Sequence, residues 1–439
     1  MKQVDQIIKA RWIITVDANN IILEDHALLI SAGKITGFAA NKDVGKTVTA
    51  KEITDVSGTH ALLPGFVNTH THAAMNLVRG LADDLNLMDW LQNHIWPTEA
   101  KVVSPEFVRA GMRHACAEML RGGTTCFNDN YFFVDEAAKV VDDIGMRAVL
   151  SEAFFIFPVP WSSHYDIGMQ RSVDTHNALK GHELIQIALA PHAPYSTDET
   201  LMRRVKALSD QYNMLVHMHM HEGKSEVPDY VAKFSARPMQ HYENLGLLSS
   251  NWINVHMCDC NDADIALLKK HNMSVAHCPE SNMKLASGVC PTYQLLQEGV
   301  NVTLGTDGAA SNNDLDMIGE MRSACFLAKS TTGNPEAISA NDALRMATIN
   351  GARALKLDTR IGSLEIGKDA DLSAIDLSSL ETQPLYHPVP QIVYAGSRKD
   401  ISHVWVKGRM LLNNYQLTTI DVNAVLLDVK TWQSKIQSL

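Results

Sequence analysis

Eight short apolar runs of β character, separated by helix-like stretches, constrain the fold of this 439-residue chain more than any other feature. The runs cover residues 63–69, 124–128, 147–153, 184–190, 214–218, 252–255, 273–276 and 302–306. Alternating strands and helices are typical of parallel β/α folds, and eight such units in about 300 residues predict a (β/α)8 barrel. Active sites of such barrels lie at the carboxyl ends of the strands, so we expect polar groups at those positions to be catalytic.

The two ends of the chain have a different pattern. Residues 1–62 contain β-rich runs at 7–16 and 26–30 with turn-type residues between them, and residues 366–439 contain a similar run at 403–408. No linker rich in Pro, Gly or Ser separates either end from the middle. We therefore predict an α/β protein in which segments 1–62 and 366–439 form one small β-sandwich beside a barrel at 63–365.

Composition disfavours several kinds of partner. The formal net charge is −11 and no dense basic stripe is present, so we expect no nucleic-acid partner. No window of about 18 apolar residues predicts a membrane-spanning helix, and the first ten residues lack the apolar core of a signal peptide. The seven cysteines are scattered and odd in number, which indicates reduced thiols in a cytoplasmic protein.

Histidine and acidic residues follow most of the predicted strands. His70 and His72 stand two positions apart after the first strand, so both imidazoles are expected on one face. The later strand ends supply, in chain order, His192, His217, His219, His221, Glu222, His256, His277 and Asp307. Such a set of histidines with a carboxylate is typical of a catalytic site for a divalent metal of the zinc type.

A catalytic metal takes three or four protein ligands and keeps a position open. His70, His72, one histidine of the fifth strand and Asp307 would supply three nitrogens and a carboxylate, which suits Zn2+, although Fe2+ or Mn2+ also occupy such sites. Strand alternation predicts His217, His219 and His221 on the same face, so spacing alone cannot choose among these three residues. Glu222 is the natural proton carrier beside the metal.

Motifs of other enzyme classes are missing from the sequence. It has neither the His-Glu-x-x-His of zincin proteases nor the Pro-Cys-x-x-Cys of cytidine-deaminase zinc sites. A Gly-x-Ser-x-Gly elbow and a P-loop are also missing. The fourth predicted strand has no lysine that could bridge two metals after modification. We therefore expect one metal ion per subunit.

Longer motifs resemble a known family. They are Pro-Gly-Phe-Val-Asn-Thr-His-Thr-His at 64–72, Arg-Gly-Leu-Ala-Asp-Asp at 79–84, Ala-Pro-His-Ala-Pro-Tyr at 190–195, His-Met-His-Glu at 219–222, His-Cys-Pro-Glu-Ser-Asn at 277–282 and Gly-Thr-Asp-Gly at 305–308. With these motifs the chain resembles the amidohydrolase superfamily over nearly its whole length. Within that superfamily it is most similar to the S-adenosylhomocysteine/5′-methylthioadenosine deaminases.

The resemblance implies roles for the metal-site residues. The family's His-x-x-Glu motif falls on His219 and Glu222, which makes His219 the metal ligand and leaves His217 and His221 structural. His256 would orient the reacting water, and Asp307 would be both a ligand and a base. The family also implies a homodimer or homotetramer with a small nucleoside substrate.

The resemblance also implies substrate contacts. Glu99 would hold the ribose hydroxyls, Trp90 would form an aromatic wall for the purine, and His192 would lie near the ribose or the thioether. Arg171 is the candidate for the homocysteine carboxylate, because it is the only arginine between residues 148 and 202. The sequence at 161–173 departs from the family pattern, which weighs against S-adenosylhomocysteine more than against methylthioadenosine. The alternatives are a relative that acts on a triazine, guanine or an oxidised purine, and a non-catalytic binder of a nucleoside or metal.

Overall fold

The computed structural model describes all 439 residues, which form two β-sheets and the helices around them. Strands β1 to β17 are Lys2–Ile14, Ile22–Glu24, His26–Ser31, Lys34–Ala40, Val48–Pro64, Phe66–Thr71, Thr124–Tyr131, Arg147–Phe154, Ile185–Pro191, Val216–Met220, Trp252–His256, Ser274–His277, Asn301–Leu304, Leu372–Asp376, Ile401–Val406, Arg409–Asn413 and Gln416–Leu417.

Helices α1 to α17 are Leu87–Asp89, Trp96–Val102, Pro105–Arg121, Val134–Ile144, Tyr165–Ala178, Glu199–Tyr212, Glu226–Phe234, Pro238–Asn244, Asp262–Lys270, Pro279–Lys284, Thr292–Gln297, Ala309–Asn312, Met317–Thr332, Ala340–Met346, Ile349–Ala354, Pro388–Tyr394 and Val422–Gln437. A π-helical segment covers Trp90–Ile95. None of the helices is both long and apolar enough to span a membrane.

Strands β6 to β13 lie side by side in chain order and are all parallel, which confirms the predicted barrel. The last strand meets the first through the buried Asn68 side chain. Its Nδ2 donates to Thr306 Oγ1 at 2.8 Å, and its Oδ1 accepts from the Thr306 amide at 3.0 Å. The Asp307 amide donates to the His70 carbonyl at 3.0 Å. These bonds join the two edges and place the ends of β6 and β13 beside each other.

Glycine is required at one position of this seam. A Cβ atom on Gly305 would lie 2.8 Å from both the amide nitrogen and the Cβ of His70. Distances that short do not occur between real side chains and backbone, so a larger residue would push the two strands apart. Gly305 thereby allows Asp307 to lie next to His70.

An apolar cluster of 14 buried residues fills the barrel below the polar strand ends. Val67, Cys126 and Val149 come from the strands, while Ala352 and Leu355 come from α15 and the residue that follows it. Close packing of small apolar groups leaves little freedom for the strands to shift. The cluster therefore gives the side chains above it a rigid support.

The other sheet combines both ends of the chain, as expected, in the order β17-β16-β15-β14-β5-β1-β3-β4, with β2 paired to β1. At its centre β5 pairs in parallel with β1 and antiparallel with β14. Thirteen buried residues from both ends form a core within this unit, among them Ile8, Leu28, Leu372 and Trp405. Neither end could bury these side chains alone, which explains why the two segments associate.

Two boundaries differ from the predicted ones. The first barrel strand begins at Phe66 rather than at residue 63, because Leu63 and Pro64 continue β5 and pair with Ser373 and Leu372. A strand that is buried on both faces shows no alternation of apolar and polar residues. The continuous apolar run therefore did not indicate where β5 ends and β6 begins. At the carboxyl end, α17 does not join the sheet but packs against α3. The division at residues 62 and 365 stays a prediction.

Helix α3 supports the turn that follows the first barrel strand. Its start is fixed by Ser104, whose hydroxyl accepts from the Phe107 amide at 3.2 Å, and by Pro105 in the first turn. The helix packs against the fully buried 3-10 segment Ala73–Val78, which begins directly after His72. This packing fixes the position of the His72 backbone.

Candidate metal centre and active site

Four side chains from three distant strands converge at the carboxyl end of the barrel. His72 Nε2 lies 3.2 Å from His219 Nε2 and 3.3 Å from Asp307 Oδ1, and His70 Nε2 lies 3.1 Å from the same Asp307 oxygen. In a tetrahedral zinc site with bonds of about 2.1 Å, neighbouring donor atoms are about 3.4 Å apart. The spacing of these donors therefore fits a single ion of this size.

The protonation states also fit a metal. Burial lowers the pKa of His70 to about 4, so its imidazole is neutral. Burial tends to raise the pKa of Asp307, but its bond to His70 and the nearby imidazoles outweigh this effect and hold that pKa well below its ordinary value. Metal ligands must be neutral imidazoles and ionised carboxylates, and burial keeps His70 and His219 neutral while Asp307 is ionised.

Each imidazole of the cluster is oriented by a bond from its other nitrogen. His72 Nδ1 donates to the Asn130 carbonyl at 2.5 Å, and His219 Nδ1 donates to the His192 carbonyl at 2.7 Å. This arrangement directs both Nε2 lone pairs into the cluster, as is usual for metal ligands. His70 Nδ1 lies 2.8 Å from His217 Nε2, which gives His217 the same orienting role toward His70.

Asp307 is held so that one oxygen faces the imidazoles. Its Oδ2 accepts from the hydroxyls of Ser281 and Ser311, each at 2.7 Å, and Oδ1 faces His70 and His72. Asp307 also has a φ of 61°, a left-handed conformation that a non-glycine residue adopts only at a cost of about 1–3 kcal/mol. Strain of this kind concentrates at functional sites, where the surrounding structure enforces it.

His256 and Glu222 face each other beside this cluster. His256 Nδ1 donates to Asn282 Oδ1 at 2.8 Å, while its buried Nε2 has no hydrogen-bond partner and lies 3.6 Å from Glu222 Oε1. Burial, with a contribution from the Asp307 charge, raises the pKa of Glu222 to about 8. The carboxyl group is therefore poised to hold or release a proton near neutral pH.

His256 belongs to the buried cluster by distance. Donor atoms of His70, His219, His256 and Asp307 all lie within 4.8 Å of one another. His72 Nε2 lies closer than this limit to two of these donors, at 3.2 Å from His219 and 3.3 Å from Asp307, and His70 lies 3.1 Å from Asp307, so we assign His72 rather than His256 to the ion. His256 Nε2 has no hydrogen-bond partner and faces Glu222, so it is free to contact a water beside this pair, and the water-orienting role of His256 stays a prediction.

Glu226, which the sequence analysis did not single out, holds the segment that carries Glu222. Its two carboxylate oxygens accept the backbone amides of His221 and Glu222, at 2.8 and 3.0 Å. His221 is in the left-handed conformation with a φ of 53°. The sequence signal is only an acidic residue four positions after Glu222, at the start of α7. The fixed backbone aims the Glu222 carboxyl at His256.

We expect Glu226→Gln to lower kcat by about 10- to 100-fold, the range typical of groups that orient a metal site or its partners. The amide would offer one oxygen and one NH2 group to two backbone donors, so the turn before Glu222 would lose a bond. Zinc content and KM should stay close to those of the wild type. An unchanged kcat would contradict this role, and the exposed Glu199→Gln on α6 serves as the matched control.

The expected substrate residues line one cavity above the cluster. Trp90, Glu99 and His192 lie on its walls together with His72, His219, Glu222 and Asp307. Glu99 is buried and accepts from the Tyr131 hydroxyl at 2.6 Å, and burial raises the pKa of Glu99 to about 7. The cavity thus contains a flat indole wall at one position and a hydrogen-bonding carboxyl group at another.

Three other sequence candidates lie elsewhere. Arg171 is outside the cavity, because its guanidinium group binds Glu152, lies 3.8 Å from Asp135 Oδ1 and covers the Phe133 ring. We therefore assign Arg171 no substrate contact. His221 is turned away by its left-handed backbone, and its Nδ1 lies 3.7 Å from Asp264 Oδ2. His277 ends β12, is buried, and has no partner at Nδ1.

A (β/α)8 barrel with a buried group of three histidines and an aspartate at its carboxyl end, next to a proton-carrying carboxyl, defines a metal-dependent hydrolase. Comparison with known proteins supports this class. The model of the amidohydrolase family matches residues 61–411. The chain belongs to the amidohydrolase family, as the sequence analysis expected.

Relatives and solved structures narrow the comparison. A Teredinibacter turnerae protein called 5-methylthioadenosine/S-adenosylhomocysteine deaminase is 41% identical over 99% of this chain and 98% of its own length. The crystal structure of a Xanthomonas campestris adenosine deaminase with bound zinc has a TM-score of 0.98 and 44% identity, with 100% of both chains covered. An atrazine chlorohydrolase of Arthrobacter aurescens, complexed with zinc, has a TM-score of 0.87 but 23% identity over 98% of this chain and 100% of its own. At that identity the likeness shows the fold alone.

Proposed function

We propose that this enzyme hydrolytically deaminates adenosine-type nucleosides, with 5′-methylthioadenosine or S-adenosylhomocysteine as substrate and the inosine analogue plus ammonia as products. The observation that carries the proposal is the facing pair Glu222 and His256 beside the donor cluster, with Glu222 on the wall of the cavity that also contains Glu99. The Teredinibacter turnerae relative and the Xanthomonas campestris structure support it by their names.

We propose that His70, His72, His219 and Asp307 hold one zinc ion per subunit. Their donor spacing supports this assignment, as do the protonation states of His70, His219 and Asp307 and the zinc in the Xanthomonas campestris structure. When bound, such an ion lowers the pKa of a coordinated water toward about 7. Fe2+ and Mn2+ accept similar donors, so metal analysis of the purified protein decides among the three.

The protein side chains then perform the proton transfers. Glu222 donates a proton to the ring nitrogen next to C6, which makes C6 electrophilic. His256 Nε2 orients the attacking water, and Asp307 accepts the proton that this water loses. A C6–O bond forms, Asp307 passes its proton to the amino group, and the C6–N bond breaks to release ammonia. The hydroxyl proton on the new C6–O group returns to Glu222, which leaves the 6-oxo group and restores the enzyme. The sum is nucleoside plus water giving the 6-oxo nucleoside plus ammonia.

The proposal is tested by mixing the zinc-loaded enzyme with methylthioadenosine and following the adenine-to-hypoxanthine absorbance change. Ammonia release, measured in parallel, should match the absorbance change mole for mole. If neither methylthioadenosine, S-adenosylhomocysteine nor adenosine releases ammonia, the proposal is wrong. Turnover of guanine or a triazine instead would establish the alternative activity on a different ring.

We expect Glu99→Gln to raise KM for nucleosides by about 10- to 100-fold, because a carboxylate that accepts hydroxyl protons contributes roughly 1.5–3 kcal/mol. The amide keeps the shape of the side chain but loses the charge. Turnover of a ribose-free 6-aminopurine should be unchanged. An equal loss on both substrates would show that Glu99 acts on the fold or the metal, and the exposed Glu106→Gln is the matched control.

Three predictions about the whole protein remain proposals. We propose a homodimer or homotetramer, which light scattering after size-exclusion chromatography would test.

We propose a cytoplasmic location, and a three-segment division into 1–62, 63–365 and 366–439, in which the outer segments form one unit. Limited proteolysis should release no stable fragment of either outer segment alone.

A further inference from the structure

Aromatic side chains dominate the part of the cavity near Glu99. Trp96, Tyr131, Phe132 and Phe155 line it there. The Phe155 ring lies 4.6 Å from the His192 ring and 6.2 Å from Phe132, and Phe132 lies 4.7 Å from Tyr131. These rings form a continuous apolar wall behind the carboxyl group that we propose for the ribose. A ribose bound at Glu99 would therefore have this wall beside it.

No strongly basic side chain lines the same cavity. None of its 18 lining residues is Lys or Arg, whereas Glu99, Glu222 and Asp307 are all acidic. Arg171, the only arginine in its part of the sequence, is bound to Glu152 and Asp135. Lys224 and Lys233 line a neighbouring cavity beside Gly223 and are both exposed. A carboxylate on a 5′ group that is buried within this cavity would therefore have no Lys or Arg partner, which is unfavourable.

We propose that the aromatic wall selects nucleosides with an uncharged, apolar 5′ group, so that the enzyme prefers 5′-alkylthio adenosines and discriminates against the aminocarboxylate tail of S-adenosylhomocysteine. A thioether sulfur makes favourable contacts with aromatic rings, and an alkyl group is removed from water against them. This inference rests on the proposed function and narrows it. The name of the relatives includes both 5-methylthioadenosine and S-adenosylhomocysteine, whereas this inference gives this chain a preference for the first compound.

The test compares kcat/KM for adenosine, 5′-methylthioadenosine, 5′-butylthioadenosine and S-adenosylhomocysteine with the zinc-loaded enzyme. The butylthio and homocysteine groups have the same four-carbon length, so this pair isolates charge from size. We expect butylthioadenosine within 10-fold of methylthioadenosine, and S-adenosylhomocysteine at least 100-fold below both. Equal turnover of the butylthio and homocysteine compounds overturns the inference but leaves the deaminase proposal intact. Turnover of none of the four overturns both.

A charge substitution tests the wall directly. Phe155→Arg places a cation in the lining, so kcat/KM for S-adenosylhomocysteine should rise relative to methylthioadenosine by about 10-fold or more. Phe326→Arg on α13, where the ring is 54% exposed, is the matched control and should leave the ratio unchanged. Should Phe155→Arg fail to fold, Phe155→Leu should lower the methylthioadenosine-to-adenosine ratio. An unchanged ratio in the folded variant overturns the inference.

Discussion

Glu222→Gln should reduce kcat by about 10³-fold, within the range that general acid–base catalysis contributes. The amide has nearly the same shape as the carboxyl group but cannot donate a proton to the purine ring. Glu222 is buried, its Oε1 lies 3.6 Å from His256 Nε2, and its pKa is raised to about 8. No other side chain at that position can therefore take over its proton transfer. KM should change little, because the lost interaction acts in the transition state.

Zinc content distinguishes this role from a structural one. The Glu222→Gln protein should bind one metal ion per subunit, and Glu336→Gln, an exposed residue before α14, should behave as the wild type. A variant that keeps full activity removes Glu222 from the chemistry. A variant that loses its metal would show that Glu222 supports the cluster instead. A Glu222→Gln protein with normal metal content and normal substrate binding but no turnover would also exclude the alternative that this protein is a non-catalytic binder, because the wild type does turn over the substrate.

Asp307→Asn has the second large expected effect. The substitution removes the negative charge of the carboxylate that lies beside the three imidazoles. It keeps a side chain with which Ser281 and Ser311 can form hydrogen bonds. Zinc retention after dialysis should fall to below a tenth of the wild-type level, and kcat/KM should fall by about 10³-fold or more, because the ion and the base are lost together. Elemental analysis and steady-state kinetics measure the two effects.

Stability gives an independent readout for the same variant. A ligand at 1,000 times its Kd stabilises the folded state by about 4.1 kcal/mol, so adding zinc to the metal-free wild type should raise Tm. The Asp307→Asn protein should show little of this rise. Asp210→Asn on α6, where the side chain is 58% exposed, is the control for a lost surface charge. An Asp307→Asn protein that binds zinc stoichiometrically would contradict the proposed ligand set.

Local patterns in the sequence were sufficient for the barrel and most of the site. Apolar runs of strand length, repeated eight times, predict parallel strands because each is buried on one face by helices and on the other by the barrel interior. Residues that directly follow such runs must collect at one end of the barrel, so the grouping of His70, His72, His256 and Asp307 followed from chain order alone. Glu99 and Trp90 lie far along the chain from any predicted strand end, and only the family resemblance pointed to them.

The structure was needed wherever backbone conformation departs from regular alternation. Strand β10 ends at Met220, and the left-handed His221 turns its side chain toward Asp264 instead of the barrel axis. Alternation predicted His221 on the same face as His219, and that expectation was wrong. The prediction for Arg171 failed for a related reason. The sequence does not show whether the helix face that carries Arg171 lines the cavity or contacts Glu152.

What the sequence determined by itself is the set of chemical groups and the end of the barrel at which they meet, because strand order and two-residue periodicity are local properties. What only the tertiary structure decided is which nitrogen reaches which neighbour. His217 lies behind His70 and bonds to it, whereas His219 Nε2 reaches His72 Nε2 at 3.2 Å. This choice depends on strand register and on contacts between residues about 150 positions apart, and spacing along the chain does not specify such contacts.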